Sequence, residues 1–163
     1  MRMEKTKITY RNWKIEVDKE LTTAAYSRLR FSSSEGCDCI YCTNYHKNKE
    51  IVFPPEIKNL FDKLGIDKTK EPEISHMTKL ESGLHLYSGW FHFKGKFEGK
   101  DCSIPLLNGN GTTLHLEEIT NRFRIGFTKT VHNTIFDDKN ELVQIEFDCQ
   151  IPWVIDKKPN LTH

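Results

Sequence analysis

Three of the five cysteines lie close together in the stretch GCDCIYCTNYH, residues 36–46. Cys39 and Cys42 form a C-x-x-C pair, a spacing at which a tight turn can direct two sulfurs at one ion. Cys37 lies two residues before this pair, and His46 follows four residues after it. Structural Zn²⁺ takes four tetrahedral ligands and prefers thiolate and imidazole. The pattern predicts a structural zinc site made by Cys37, Cys39, Cys42 and His46.

Other interpretations of the same loop stay open. The three cysteines could pack as small, partly buried thiols. Redox chemistry by Cys39 and Cys42 would require the pair to open a helix, and TNYHKNKE is not a typical helix start. An iron–sulfur cluster normally takes four cysteines, and only three are local. We favour zinc, with the fourth ligand from His46 or from a more distant histidine: His76, His85, His92 or His115.

A second group of reactive side chains lies in GLHLYSGWFHFKGKF, residues 83–97. A regular strand would place two of its histidines, His85 and His92, on opposite faces, whereas a bulge near Gly89 would bring them together. With such a bulge the segment predicts a ligand pocket. Cross-strand aromatic packing with hydrogen-bonded histidines is the competing and favoured interpretation. The pocket residues would be His85, Tyr87, Trp90 and His92.

A third candidate is the stretch EPEISHM, residues 71–77, which contains Glu71, Glu73 and His76. Carboxylates beside an imidazole can bind a metal or transfer protons. On an extended segment, however, His76 points away from the face that carries the two carboxylates. We therefore expect solvated loop charges here rather than a site.

Composition excludes several function classes. The 24 Lys and Arg residues nearly cancel the 23 Asp and Glu residues, so a net charge of +1 gives no strong nucleic-acid signal. No apolar segment is long enough to cross a membrane, and the first residues do not resemble a signal peptide. We expect a cytoplasmic protein whose thiols stay reduced. No phosphate-binding glycine loop, nucleophile elbow or HExxH motif is present.

The secondary-structure pattern indicates how these groups are positioned. Apolar and polar residues alternate over 143–153, which is typical of a strand with one buried and one wet face. A helix is predicted at about 55–64, with prolines at its start and Gly65 at its end. We expect a second helix or an irregular segment within 19–30. We predict one α+β domain over 1–163, strand-rich over 83–155, as an antiparallel sandwich or part-open barrel with one amphipathic helix on the sheet.

Several of these motifs together resemble a family of small bacterial proteins of uncharacterised function. The shared motifs are CDCIYCTNY, FPPEIKNLFDKLGID, GLHLYSGWFHFKG, FRIGFT and IEFDCQIPWV. The resemblance covers roughly residues 37–154. It implies a single bacterial cytosolic domain in which the cysteine loop accompanies the sheet, and it implies no activity. It does not include a fixed imidazole at the position of His46.

Two functional hypotheses follow. The first is a non-enzymatic binding domain for an unidentified protein or small molecule, with its cysteine loop stabilised by a closed zinc site. The alternative is a metal-dependent hydrolase with three protein ligands and a water, placed near the strand from His85 to His92.

Overall fold

The computed structural model describes residues 5–159, which form nine strands and four helices. The strands are β1 Thr6–Tyr10, β2 Trp13–Val17, β3 Glu73–Lys79, β4 His85–Glu98, β5 Ser103–Pro105, β6 Thr112–Leu114, β7 Glu117–Thr120, β8 Phe123–Thr128 and β9 Leu142–Ile151. The helices are α1 Lys19–Ser27, α2 Ile40–Lys47, α3 Lys49–Val52 and α4 Pro55–Leu64.

Seven strands form one antiparallel sheet. Six of them follow the order β1-β2-β4-β9-β8-β7, and β3 pairs with β4 outside this order. The long strand β4 has two neighbours on the side opposite β9: its first half pairs with β3, and its end pairs with β2. Strands β5 and β6 form a separate hairpin. The predicted mainly β, antiparallel α+β fold is confirmed, and the sheet does not close into a barrel.

Helix α1 fills the gap between β3 and β2 along β4. The Tyr26 hydroxyl donates to the His92 carbonyl at 3.0 Å and accepts the His92 N–H at 2.9 Å. Thr22 Oγ1 accepts the Lys94 N–H at 3.0 Å, and the Asp18 N–H donates to the Lys94 carbonyl at 2.7 Å. Side chains of a helix thus satisfy backbone groups that a neighbouring strand would otherwise pair.

One face of the sheet carries the helices and the main core. Phe53 lies between the helices and the strands, with ring centroids 5.5 to 5.8 Å from four other phenylalanines. Such tilted and edge-on pairs are favourable beyond their area burial. The alternating apolar residues of β4, β8 and β9 all point into this layer: Phe91, Phe93, Phe123, Ile125, Phe127, Val143, Ile145 and Phe147.

Helix α4 confirms the predicted helix over 55–64. Its apolar face is buried on the sheet through Ile57, Phe61 and Leu64. Gly65 ends the helix with φ 83°, a conformation that glycine adopts without steric cost. A Cβ at Gly65 would also lie 2.7 Å from the Lys19 carbonyl oxygen, so the glycine lets α4 approach α1 closely.

The cysteine loop contains a helix that the sequence did not predict. Helix α2 begins directly after Cys39, whose sulfur accepts the Cys42 N–H at 3.4 Å and caps the helix. The inward side chains Asn44 and Tyr45 are fully buried, so packing stabilises a segment of modest helix propensity. Among the described residues, no helix is both long and apolar enough to cross a membrane.

Candidate metal centre

The three loop cysteines meet at the start of α2. The sulfurs of Cys37, Cys39 and Cys42 all lie within 4.8 Å of one another. Zinc–sulfur bonds of about 2.3 Å at tetrahedral angles would place such sulfurs about 3.8 Å apart, which small side-chain rotations can achieve. Cys39 is exposed and the other two are half-buried, so the site opens to solvent. This arrangement suits a thiophilic cation.

The local backbone favours the thiolate form of Cys37. The Cys39 N–H donates to Cys37 Sγ at 3.5 Å, and this hydrogen bond lowers the pKa of the Cys37 thiol. Burial, followed by hydrogen bonds with the other two sulfurs, raises the pKa of Cys42. The sulfurs also lie at the N-terminal end of α2, where the unpaired N–H groups favour negative charge. A cation would be needed for all three sulfurs to ionise together.

A buried ion pair holds the segment that leads into the cysteines. The Glu71 side chain is fully buried and accepts hydrogen bonds from Ser34 N–H at 2.8 Å and Ser34 Oγ at 2.9 Å. Its other carboxylate oxygen lies 3.1 Å from Lys49 Nζ, which also donates to Ser32 Oγ. The prediction that Glu71 is a solvated loop charge is therefore wrong, because Lys49 and Ser34 compensate its burial.

Hydrogen bonds connect the turn that carries Cys39 and Cys42 to the sheet. The Tyr87 hydroxyl donates to the Tyr41 carbonyl at 2.7 Å. Asn44 donates to the Pro152 carbonyl at 3.1 Å and accepts the Val154 N–H at 2.8 Å. These bonds connect α2 to β4 and to the segment after β9, so the sulfurs stand on a positioned support.

The predicted fourth ligand is not part of the sulfur cluster. His46 lies on α2, four residues after Cys42 and on the same helix face, and its side chain is exposed. Among the described residues, the group of close metal-ligand atoms at this turn contains the three sulfurs alone. The structure thus brings together three sulfurs that could hold a metal ion, without His46 among them.

The alternative histidines are distributed over the molecule. His76 Nε2 and His85 Nδ1 are 2.8 Å apart, and the His76 ring packs 4.2 Å from that of Tyr41, beside the cysteine turn. Burial lowers the pKa of His85, with a smaller effect from a nearby lysine. His92 lies on the other face of the sheet, and His115 is exposed beyond β6. None of them joins the sulfur group.

The four residues of the predicted ligand pocket do not converge. Pairing of β4 with β9 is continuous from His85 to Lys94, so β4 has no bulge at Gly89 in this stretch. Because side chains alternate along a regular strand, His85 and Tyr87 point to the helix face, whereas Trp90 and His92 point to the opposite face. The bulge lies instead in the neighbouring strand β3, between His76 and Thr78.

The opposite face, which we call the back face, carries a buried hydrogen-bond chain around His92. Gln144 Oε1 accepts the His132 N–H at 2.7 Å, and Gln144 Nε2 donates to Glu146 Oε1 at 2.6 Å. These two bonds fix the orientation of the amide, so the 2.9 Å contact to His92 Nε2 requires a proton on that nitrogen. Nδ1 then presents a lone pair and has no hydrogen-bond partner.

The back face is closed. Burial lowers the pKa of His92 to about 4 and raises the pKa of Glu146, so both groups favour their neutral forms. The nearby Cys102 is buried, and burial raises its pKa to about 12. Trp90 Nε1 is buried without a hydrogen-bond partner. The hydrogen-bond chain around His92 therefore has little access to solvent, so its polar groups rely on neighbouring protein groups for hydrogen bonding.

Sequence reasoning missed this chain because it assigned the polar residues of β9 to a wet face. Gln144 is fully buried, and Glu146 and Asp148 are 7% and 8% exposed. The segment 129–141 covers the start of β9, where Phe136 packs on Leu142 and the His132 N–H donates to Gln144, and Arg124 pairs with Asp148. The apolar residues of that segment are the one sequence signal that indicates a covering layer.

The cysteine turn and the back face are thus separate groups of chemistry-bearing residues, one open and one closed. Comparison with protein-family models, with curated proteins and with solved structures gives no match.

Proposed function

We propose that this chain is a non-enzymatic binding domain whose cysteine turn holds a zinc ion. The observation that carries the proposal is the convergence of three sulfurs on an anchored helix start. Two backbone N–H groups already point at Cys37 and Cys39 sulfurs, as expected for the outer hydrogen bonds that orient metal ligands. Retention of metal-binding thiols fits a reducing compartment such as the bacterial cytoplasm.

We assign the fourth position to His46. Helical spacing puts it one turn beyond Cys42 on the same face, and its exposed side chain is free to rotate toward the sulfurs. Closure by His46 would give four protein ligands and leave no position for chemistry. A solvent or partner ligand in this position would instead leave the ion accessible.

The test is metal content and folding stability of protein purified without chelators or metal-affinity steps. We expect one zinc per chain, with loss of zinc in Cys37→Ser and Cys42→Ser. Cys102→Ala is the matched control, because it removes a buried thiol that lies outside the cluster. Removing zinc should lower the free energy of unfolding by about 4 kcal/mol if free zinc had been a thousandfold above Kd. Metal-free, fully folded wild type would overturn the proposal.

His46→Asn distinguishes a site closed by His46 from a site whose fourth ligand comes from solvent or a partner. If His46 is the fourth ligand, the variant should bind zinc at least about tenfold more weakly. Cobalt substitution provides an independent readout, because the intensity of its visible bands reports four-coordinate tetrahedral geometry. An unchanged affinity and spectrum would assign the fourth position to solvent or to a partner.

One observation favours a second candidate function, thiol redox exchange. Cys39 caps α2 and Cys42 follows in its first turn, which is the placement that activates a C-x-x-C pair. In such an exchange the two thiols would form one disulfide and release two protons, while a partner disulfide accepts two electrons and becomes two thiols. Equilibration of metal-free protein in glutathione buffers, read by mass, would give the reduction potential.

The structure gives less support to the alternative, a metal-dependent hydrolase with a histidine-lined cleft near the strand from His85 to His92. The side chains of His85 and His92 lie on opposite faces of the sheet, so they do not line one cleft. The proposed function therefore rests on the cysteine turn alone.

A further inference from the structure

A cavity of about 730 Å³ lies where β4 extends past the start of β9. Strand β9 begins at Leu142, opposite Lys94, and the rest of β4 up to Glu98 pairs only with β2. The cavity occupies the space beside this end of β4, on the side that β9 does not reach, with Gly95 and Phe97 in its wall. Its volume lies within the range of about 300–1,000 Å³ that is typical of small-molecule sites.

The cavity wall combines an apolar surface with an excess of positive charge. Phe97 and Val131 contribute apolar surface, and three lysines line the same space: Lys96, Lys129 and Lys139. Glu141 is the acidic residue among the lining side chains, and its carboxylate already lies 2.9 Å from Lys5 Nζ.

Two of these lysines form no ion pair within the described residues. Lys96 lies 3.4 Å from Glu16, whereas neither Lys129 nor Lys139 forms an ion pair within the part of the chain that the structure describes. Asp101 accepts the backbone N–H of Lys129 and lies near enough for a longer-range attraction to its ammonium group. That ammonium group lies 5.9 Å from the centre of the Phe97 ring. A concave surface lined by one sign of charge concentrates the opposite charge.

The backbone is strained at the same place. Of the residues that the structure describes, three besides glycines have positive φ, and two of them line this cavity: Asn133 at 32° and Glu141 at 51°. Such conformations cost about 1 kcal/mol or more and are found preferentially where ligands bind. The strain is thus an observation independent of the charge that also points to this cavity.

We propose that the cavity binds a small organic anion, with its charged group between Lys129 and Lys139 and its apolar body against Phe97. Phosphate, sulfonate and carboxylate groups meet the charge requirement, and the apolar wall excludes a bare inorganic ion as the best-fitting ligand. No residue of the cysteine loop lines the cavity, so the proposal is independent of metal binding.

The test uses a pair of matched dyes. The sulfonate 8-anilinonaphthalene-1-sulfonate carries the proposed chemistry, and N-phenyl-1-naphthylamine has the same aromatic body without the charge. We expect the folded protein to bind the sulfonate more tightly, with one site by calorimetry and with affinity that falls as salt rises. Lys129→Gln together with Lys139→Gln should weaken sulfonate binding about tenfold and leave the neutral dye nearly unchanged.

The control variant changes the same total charge elsewhere. Lys47→Gln together with Lys63→Gln removes two exposed lysines of α2 and α4 and should leave sulfonate binding unchanged. Phe97→Leu should weaken both dyes equally, in protein whose circular dichroism and Tm verify the fold. Equal loss of sulfonate binding in the two lysine pairs, or no loss in either, would overturn the proposal. Nuclear magnetic resonance shifts confined to residues outside the cavity would do the same.

Discussion

The cysteine turn and the back face place similar chemistry in opposite environments. The turn has three thiols at a partly exposed helix start, with backbone N–H groups directed at two sulfurs. The back face has a thiol, a carboxyl and an imidazole, Cys102, Glu146 and His92, and all three are at least nine-tenths buried. One region can exchange ligands with solvent, and the other is closed to solvent, with His92 Nδ1 and Trp90 Nε1 left without hydrogen-bond partners.

The difference teaches that residue type and proximity are not sufficient for a site. Burial raises the pKa of Cys102 and Glu146, so these two groups favour neutral forms that bind cations poorly. Burial lowers the pKa of His92, whose neutral imidazole is enclosed away from solvent. At the turn, a hydrogen bond lowers the pKa of Cys37 and favours the thiolate. Access to solvent and hydrogen bonding to the charged form decide which region can bind a metal.

The largest expected effect concerns the buried ion pair of Lys49 and Glu71, which holds the segment that leads into the cysteine turn. Lys49→Met removes the countercharge of the buried Glu71 carboxylate and should lower the free energy of unfolding by about 3–5 kcal/mol. Urea denaturation measures it. Adding Glu71→Gln should recover part of the loss, since the uncompensated charge is then gone. Lys96→Met, which breaks an exposed pair with Glu16, is the matched control and should cost less than about 1 kcal/mol. Equal losses in the two single variants would show that the buried pair contributes no more to the free energy of unfolding than the exposed pair does.

The next effect is a pH dependence of the closed region. Because burial holds the pKa of His92 at about 4, the unfolded chain takes up its proton first as the pH falls below about 6.5. The stability that neutral His92 contributes is therefore present above about 6.5 and lost down to about pH 4, a change of about 3 kcal/mol. Urea denaturation of metal-free wild type and His92→Gln at pH 7 and pH 4 measures the difference.

Glu146 provides a control of opposite sign for the same experiment. Burial raises its pKa, so the folded state binds its proton more readily than the unfolded chain, and acidification stabilises the fold through this group. Glu146→Gln should remove that gain and make the loss at low pH steeper. Parallel pH curves for wild type and His92→Gln would contradict the assignment of a neutral, buried imidazole.

A third prediction compares the thiols directly. In metal-free protein the three loop cysteines should react with an aromatic disulfide at least about a hundredfold faster than Cys102 and Cys149, which need local opening to become accessible. Cys37 should react first, because its pKa is lowered. Mass spectrometry of digested samples identifies each modified residue. Added zinc should protect the loop cysteines alone, and a common rate for all five would remove the distinction between the regions.

The smallest expected effect is on helix capping in metal-free protein. Serine is a good N-cap, so Cys39→Ser should change the free energy of unfolding by less than about 0.5 kcal/mol. Cys149→Ser buries a hydroxyl on the helix face and should cost about 1–3 kcal/mol. With zinc present, Cys39→Ser should become the more damaging change of the two. If it remains harmless with zinc, Cys39 is not a ligand.

The sequence by itself determined the most regularly patterned elements and the cysteine grouping. Period-2 alternation predicted β9, and the apolar face of Ile57, Phe61 and Leu64 predicted α4, because these patterns are set by local geometry. The spacing of Cys37, Cys39 and Cys42 likewise limits their sulfurs to one neighbourhood.

Tertiary structure alone decided access and register. Strand β4 could have carried a bulge at Gly89, and its continuous pairing with β9 is what separates His85 from His92. The polar side of β9 became an interior because the preceding segment 129–141 folds back over its start and Arg124 pairs with Asp148 farther along. Helix α2 forms because Asn44 and Tyr45 are buried against the sheet, a gain that local propensity does not contain. Burial depends on residues far apart in the chain, and burial sets both the pKa values and the openness of each region.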